Sequence, residues 1–492
     1  MKLSESNIRI GKKAFFLAIG ILLSLMILSG ILTRILPAGS YERIVSGGRT
    51  LVVDGSYREI PHPDYPFWRW FTAPFEILAG PDNITPIVII LFITIVGGSI
   101  ATLESAGVMK ALINVLVARF AKRKYLLIVA MITFFMVIAS FIGIFEGMVP
   151  LVIFIIPIAV SLGWDSLVGL GMSLLPLAFG FAAAVTNPFT IAIAQKIADL
   201  PVFSGAPLRL VFLAVVYIIV NVFVISYAKK VERNPQSSLC YKEDEALRKK
   251  LRSAGSDAAE TKDAAAGESQ WRLHKRALIW FAAWITLAMV TVIVTARIPG
   301  LSSLAFPLMT VFFLVGGTGS GFLAGLTIPQ TGKAFGMGIT GLLPGIALVL
   351  MAYSVRHIIT TGMIMDTILF RASELISRST PMTAAFLVYA VTLVMNFFIV
   401  SASAKAFLMM PLLTPLADLV GITRQTAILA FNFGDGFSTT FFPTNPLLLI
   451  ALSFSVVSYT KWIRWTWKLQ LIMLAVTSAF LAFAVKTGFG PF

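Results

Sequence analysis

The sequence predicts an all-α polytopic membrane protein built from two inverted-topology repeats with re-entrant hairpins and broken helices. Three observations carry this. Of 492 residues, 58% are hydrophobic and only 13% charged, against roughly half and a quarter in soluble domains. Apolar runs of about 20 residues, enough to cross a ~30 Å hydrocarbon core, recur along the whole chain, without the ~10-residue alternation of a β-barrel. Thr-Asn-Pro occurs twice inside apolar stretches, as Thr186-Asn187-Pro188 and Thr444-Asn445-Pro446. In the same register Pro157 meets Pro415, Gly163 meets Gly421, and "PIAVSLG" matches "PLADLVG".

The first repeat covers 1–228. Its opening run, 14–36, is too long for a signal-peptide core and reads as a retained helix. The polar insertion 37–85, with Gly/Pro turns and short Val-rich runs, reads as an outer loop bearing a hairpin, closed by an interfacial Trp/Phe cluster. After 86–105 the segment 125–162 breaks at "GIFEGMVP". Gly143, Glu146, Gly147 and Pro150 are poor helix interior, so this reads as a re-entrant hairpin. Runs 166–199 and 207–228 complete four spans. Residues 229–275 have linker composition, mobile and cytoplasmic, with the single cysteine, Cys240, in solvated surroundings. Helix 276–300 recrosses and inverts the second repeat, 301–492, which has four spans and a hairpin near 382–420.

With the N-terminus cytoplasmic, most of the 39 Lys and Arg fall on the cytoplasmic side, as the positive-inside rule requires. The net charge of +16 therefore reports orientation in the lipid bilayer and not a nucleic-acid partner.

Broken helix is tolerated at membrane depth only where it is buried in protein or lines a wet cavity. Free N–H ends favour carboxylates and bare carbonyl ends favour cations. The two Thr-Asn-Pro sites, with breaks at Pro188 and Pro446, therefore face the hairpin tips "FIGIFEGM" and "VSASAKAF" across a midplane pocket. Thr186, Asn187, Thr444, Asn445, Ser401, Ser403, Lys405 and Glu146 are its candidate substrate ligands. Ionisable groups at this depth are functional candidates by default. Lys405 suits a substrate carboxylate or a permanently held cation site; Glu146 suits a proton, cation or amine. Asp435, flanked by Asn432 and Ser438, is the candidate for ion coupling or for pairing with Lys405.

No metal cluster, cofactor motif or catalytic set is legible. The three histidines, His62, His274 and His357, form no His-x-x-Glu-His motif, and Gly-x-Ser-x-Gly is absent. "PQTGKAFG" lacks the upstream glycine of a phosphate loop. These features favour a carrier over an enzyme, a primary pump or a channel.

"SLGWDSLVGLGMSLLPLAFGFAAAVTNPFTIAIAQ" and "PLLTPLADLVGITRQTAILAFNFGDGFSTTFFPTNP" resemble the YfcC family, grouped with the C4-dicarboxylate anaerobic carriers of the ion transporter superfamily. "LPAGSYERIVSGGRTLVVDGSYREI" is similar to that family's outer segment. The resemblance covers nearly the whole chain. It implies scaffold and transport domains, elevator-type alternating access, a homodimer, and a place in the bacterial inner membrane. It also implies small carboxylates such as C4-dicarboxylates, or amino acids, as substrates, coupled to Na⁺, H⁺ or exchange. The alternative is basic amino acid antiport, of the arginine/ornithine kind. The chain departs from the pattern at the pocket. Gly147 stands where a second acid is expected. "SASAKA" replaces a Gly/Gln-rich run, and Asn445-Pro446 replaces Ser-Gly. These changes add positive and remove negative charge, which favours an anionic substrate.

Overall fold

The computed structural model describes residues 12–46, 49–80, 83–256, 264–297 and 304–490. Expectations resting on Lys2, Arg9 or 298–300 lie outside the described residues. Ten described helices are long and apolar enough to cross a membrane, so the chain is a polytopic helical membrane protein.

The helices sort into two packed groups. The first comprises Lys12–Ile35, Ile84–Ser105, Ala264–Arg297, Ala305–Leu323 and Ile328–Thr361. Small residues set its closest crossing: a Cβ added to Gly338 would meet the Gly97 carbonyl oxygen at 2.2 Å. Without a hydrophobic drive between helices in lipid, such close backbone approach is what holds them.

The second group holds the breaks. Helix Lys124–Val137 runs through a π-turn, Ile138–Ile142, to an irregular tip. It returns through the 3₁₀ segment Glu146–Leu151 and helix Val152–Ser161. Helix Ser166–Gly171 is followed by Leu174–Ala183, an irregular stretch, and the half-helix Ile191–Ile197. Helices Pro381–Phe398 and Ala402–Val420 flank the second tip, and Arg424–Gly436 leads through Phe437–Thr440 to the half-helix Pro446–Ser453. Ala206–Arg233 and Tyr459–Thr487 complete this group. The interrupted helices meet where a Cβ on Gly436 would lie 2.2 Å from Ala182 Cα.

Local chemistry fixes the ends. Thr380, Ser401, Thr423 and Ser458 each accept a backbone N–H three residues on, satisfying donors a helix start leaves free. Gly421, left-handed at φ +74°, ends the second hairpin.

Several expectations need correction. Run 166–199 is interrupted at Thr186-Asn187-Pro188, as expected, and also between Gly171 and Leu174. The helix read as 276–300 begins at Ala264. The described part of the linker is folded: Pro235–Ser237 and Glu245–Ser256 are helical, and Cys240 is fully buried. Its neighbours Ser238 and Asp244 are buried with it, so a polar composition here marks a docked strap.

The insertion 37–85 does form a hairpin, Arg43–Ser46 against Arg49–Val52. It packs on the short helix Met365–Ser377. Arg43 pairs with Asp366 at 2.8 Å, Tyr57 hydrogen-bonds Thr367 at 3.0 Å, and the Tyr57 ring stacks on Phe370 at 4.0 Å.

Candidate functional site

At the first break, helix Leu174–Ala183 stops because Ala184 is left-handed, at φ +39°, a conformation costing a non-glycine residue of order 1–3 kcal/mol. The released chain is caught by the first hairpin. Thr186 donates its hydroxyl to the Phe141 carbonyl at 3.0 Å and its N–H to the Ser140 carbonyl at 3.2 Å. Asn187 Oδ1 accepts the N–H groups of Phe189 and Thr190 at 2.8 and 3.3 Å. Behind it, the buried Arg209 guanidinium donates to the Val185 carbonyl at 3.1 Å. Tip and break touch: a Cβ on Gly143 would lie 2.2 Å from Asn187 Oδ1.

The second tip bridges to the first break, since the Ser403 hydroxyl donates to the Phe189 carbonyl at 2.9 Å. Ser401 caps the returning helix through the Ala404 N–H at 3.4 Å. At the second break Asn445 Oδ1 accepts the Leu447 N–H at 2.9 Å, so Pro446 opens a half-helix. The first tip closes the circle, its Glu146–Leu151 segment packing on Pro446–Ser453.

Lys405 is fully buried and turns inward. Its ammonium donates to the Asp435 carboxylate and to the Asn396 side-chain carbonyl. Asn396 is held by its own amide, which donates to the Asp435 carbonyl at 2.9 Å and the Ser438 hydroxyl at 2.7 Å. Asn432 donates to the Ala182 carbonyl at 2.5 Å, joining the two broken helices.

Between the two helix groups lies a cavity of about 550 Å³, within the size range of small-molecule sites. Gly143 and Gly147 of the first tip, Ser401 and Ser403 of the second, and Thr444 and Pro446 of the second break line it. The other group contributes apolar walls such as Val88 and Met309, with Tyr353 and Arg356. Breaks and tips also hold buried polar atoms without a protein partner, among them Asn187 Nδ2, Thr190 Oγ1 and Thr444 Oγ1. Such atoms cost about 1–3 kcal/mol each when left unmet, and of the three only Thr444 belongs to the cavity lining.

Of the residues expected from sequence, Ser401, Ser403, Thr444 and Pro446 reach the cavity. Thr186, Asn187, Pro188 and Asn445 shape the breaks behind it. Lys405, Asp435, Asn432 and Ser438 form a separate buried cluster. The Glu146 side chain lies outside the described residues. Arg356 was not anticipated. It follows an apolar run, "GIALVLMAYSV", and the membrane-depth rule applied to Lys405 singles it out as well.

A family model described as "DcuC: C4-dicarboxylate anaerobic carrier" matches residues 15–486. A relative from Escherichia coli (strain K12), provisionally named basic amino acid antiporter YfcC, is 29% identical over 474 residues, covering 89% of this chain and 90% of that one. An uncharacterised protein of Haemophilus influenzae is 25% identical over 399 residues, 81% of this chain and 75% of its own. Among solved structures, the Alcanivorax borkumensis YdaH transporter matches at a TM-score of 0.39 with 16% identity, over 97% of this chain and all of that one. Neisseria gonorrhoeae MtrF, from a class of antimetabolite efflux pumps, matches at 0.39 with 17% identity, over 95% and 94%.

Proposed function

Because the chain belongs to the C4-dicarboxylate anaerobic carrier family, we propose that it is a secondary active transporter of small carboxylates, such as C4-dicarboxylates or amino acids, across the bacterial inner membrane, with its N-terminus cytoplasmic. The observation that carries this reading is the cavity between the two helix groups. Both hairpin tips and the second break meet there, and Arg356 is the one Lys or Arg among its described lining residues. A guanidinium presents a rigid fork of donors matched to a carboxylate, and the neighbouring hydroxyls suit its remaining oxygens.

The location favours alternating access. A cavity bounded on one side by Ile84–Ser105 and Ile328–Thr361, and on the other by tips and breaks, changes sides if one group slides past the other. In that reading the two halves are inverted repeats, the hairpins are re-entrant, and the carrier works as an elevator in a homodimer. The second reading, basic amino acid antiport, draws on the name of the E. coli relative and on Glu146, which sits in the chain beside the cavity-lining Gly147.

The test is uptake into proteoliposomes of C4-dicarboxylates, monocarboxylates, neutral amino acids, arginine and ornithine, by the wild type and Arg356→Gln. A saturable carboxylate or neutral amino acid substrate is expected. Arg356→Gln should raise its KM about tenfold or more, the loss of a charge-assisted bond of ~1.5–3 kcal/mol. Uptake of arginine or ornithine alone, abolished in Glu146→Gln, would establish the antiport reading. Rates no faster than protein-free liposomes for every compound would refute transport of these classes.

A further inference from the structure

The Lys405 cluster is unexplained by packing. Burying an ion pair rarely adds stability over an apolar pair of the same volume. Lys405 also stands in the first turn of helix Ala402–Val420, the end where the helix dipole disfavours a cation. What surrounds the ammonium is oxygen. Asp435 Oδ1 and Asn396 Oδ1 accept its protons. The Asn396 amide is committed to the Asp435 carbonyl and Ser438, so its oxygen is fixed toward the ammonium. Asn432 lies one turn before Asp435, on the same helix face. Its Oδ1 and Asp435 Oδ2 are both buried without a protein partner. The cluster sits where helix Arg424–Gly436 gives way to the 3₁₀ segment Phe437–Thr440, directly behind the tip residues Ser401 and Ser403 that line the cavity.

We propose that the Lys405 ammonium is a tethered cation. It occupies a monovalent-cation site formed by Asp435, Asn396, Asn432 and Ser438, so the wild-type protein takes no Na⁺ there, and removing the amine opens the site to one. A carboxylate and an amide carbonyl hold the ammonium, and the unpartnered Asn432 carbonyl and the Ser438 hydroxyl on the same helical segment complete a set of oxygens of the kind that coordinates Na⁺. The consequence for coupling rests on the transporter reading above: a carrier holding its own cation runs without a Na⁺ gradient at this site, by exchange or counterflow. The binding claim stands independently of any substrate.

The test uses thermal unfolding of the purified full-length protein at fixed ionic strength in the chlorides of choline, Na⁺, K⁺ and methylammonium. The wild type should show the same Tm in all four. Lys405→Ala should unfold lower in choline and regain ~2 °C or more, saturably, in Na⁺ or methylammonium. Lys405→Met/Asp435→Asn, which removes both charges, should fold and be indifferent to the cation. A Lys405→Ala protein that responds to no small cation overturns the site. So does a wild type stabilised specifically by Na⁺, a measurement that needs no variant to fold. Once a substrate is in hand, equal wild-type uptake with a Na⁺ gradient and in choline is expected, and strict Na⁺ dependence overturns the coupling claim. Failure to find a substrate counts against the transport reading alone, since the melting series decides the site.

Discussion

Gly143 shows how much of the site depends on one absent methyl group. Its φ of +78° is left-handed, a conformation penalised by about 1–2 kcal/mol in other residues. An added Cβ would also press on Asn187 Oδ1 at 2.2 Å. That oxygen already caps the turn through the Phe189 and Thr190 N–H groups, so it has no freedom to retreat. Gly143→Ala is therefore expected to push the first tip off the first break, lowering Tm by several degrees and abolishing uptake. Gly20→Ala, where a Cβ meets nothing within 4 Å, should leave both unchanged. Equal behaviour of the two variants would show that tip and break do not depend on this contact. At this scale the sequence was informative about residue type and poor about direction. Thr-Asn-Pro marked the breaks because few other reasons put that triplet in oil. Whether Lys405 would face the cavity or Asp435 depended on helix phase at an irregular turn, which no periodicity reveals. Arg356 was missed because hydropathy faded before its helix did.

The strap that follows Ala206–Arg233 shows the same gap at the level of elements. Its composition is that of a solvated linker, yet two buried carboxylates fasten it. Asp165 accepts from Tyr227 and Ser238, each at 2.7 Å. Asp244 accepts the Ser166 N–H at 2.9 Å and the Ser166 hydroxyl. Lys461, at the start of the last helix, reaches the Leu239 carbonyl at 2.7 Å and Glu243 at 2.5 Å. A segment of this kind is held by a few specific bonds and not by an apolar stripe, so pattern reading has nothing to detect. Burial, the largest influence, pushes Asp244 up to about 6 from 3.8; the Ser166 bonds and Arg248 oppose this and Asp165 adds to it. Docking thus favours the protonated acid. The Asp244 contribution to docking is therefore fully present below about pH 4 and is lost as pH rises through 6. Hydrogen exchange of amides 238–248, corrected for intrinsic rates, should accelerate from pH 5 to pH 8 in the wild type and stay level in Asp244→Asn. A level wild type would mean that Asp244 does not govern docking.

For the molecule as a whole, apolar runs located the spans because a bilayer imposes their length, but they could not locate the helix ends. Helix Ile328–Thr361 begins with the polar "IPQTGKAFG" under a Thr327/Gln330 capping box, so it continues well beyond its apolar stretch. Orientation is the remaining whole-molecule expectation, and the chain supplies its own quiet background for testing it. Its single cysteine, Cys240, is buried, and burial also pushes the thiol well above its ordinary range, which suppresses the reactive thiolate. Asp54 in the insertion 37–85 and Gln236 at the strap are both exposed. If the N-terminus is cytoplasmic and Lys124–Ile142 with Gly147–Ser161 forms a hairpin, the two positions lie on opposite sides. Asp54→Cys should then react with a membrane-impermeant maleimide in intact cells, and Gln236→Cys only after the membrane is opened. The reverse pattern would invert the whole protein and place the strap, with its pH response, on the outside. Labelling of both in intact cells would require an even number of crossings between them and would break the inverted-repeat proposal at its first half.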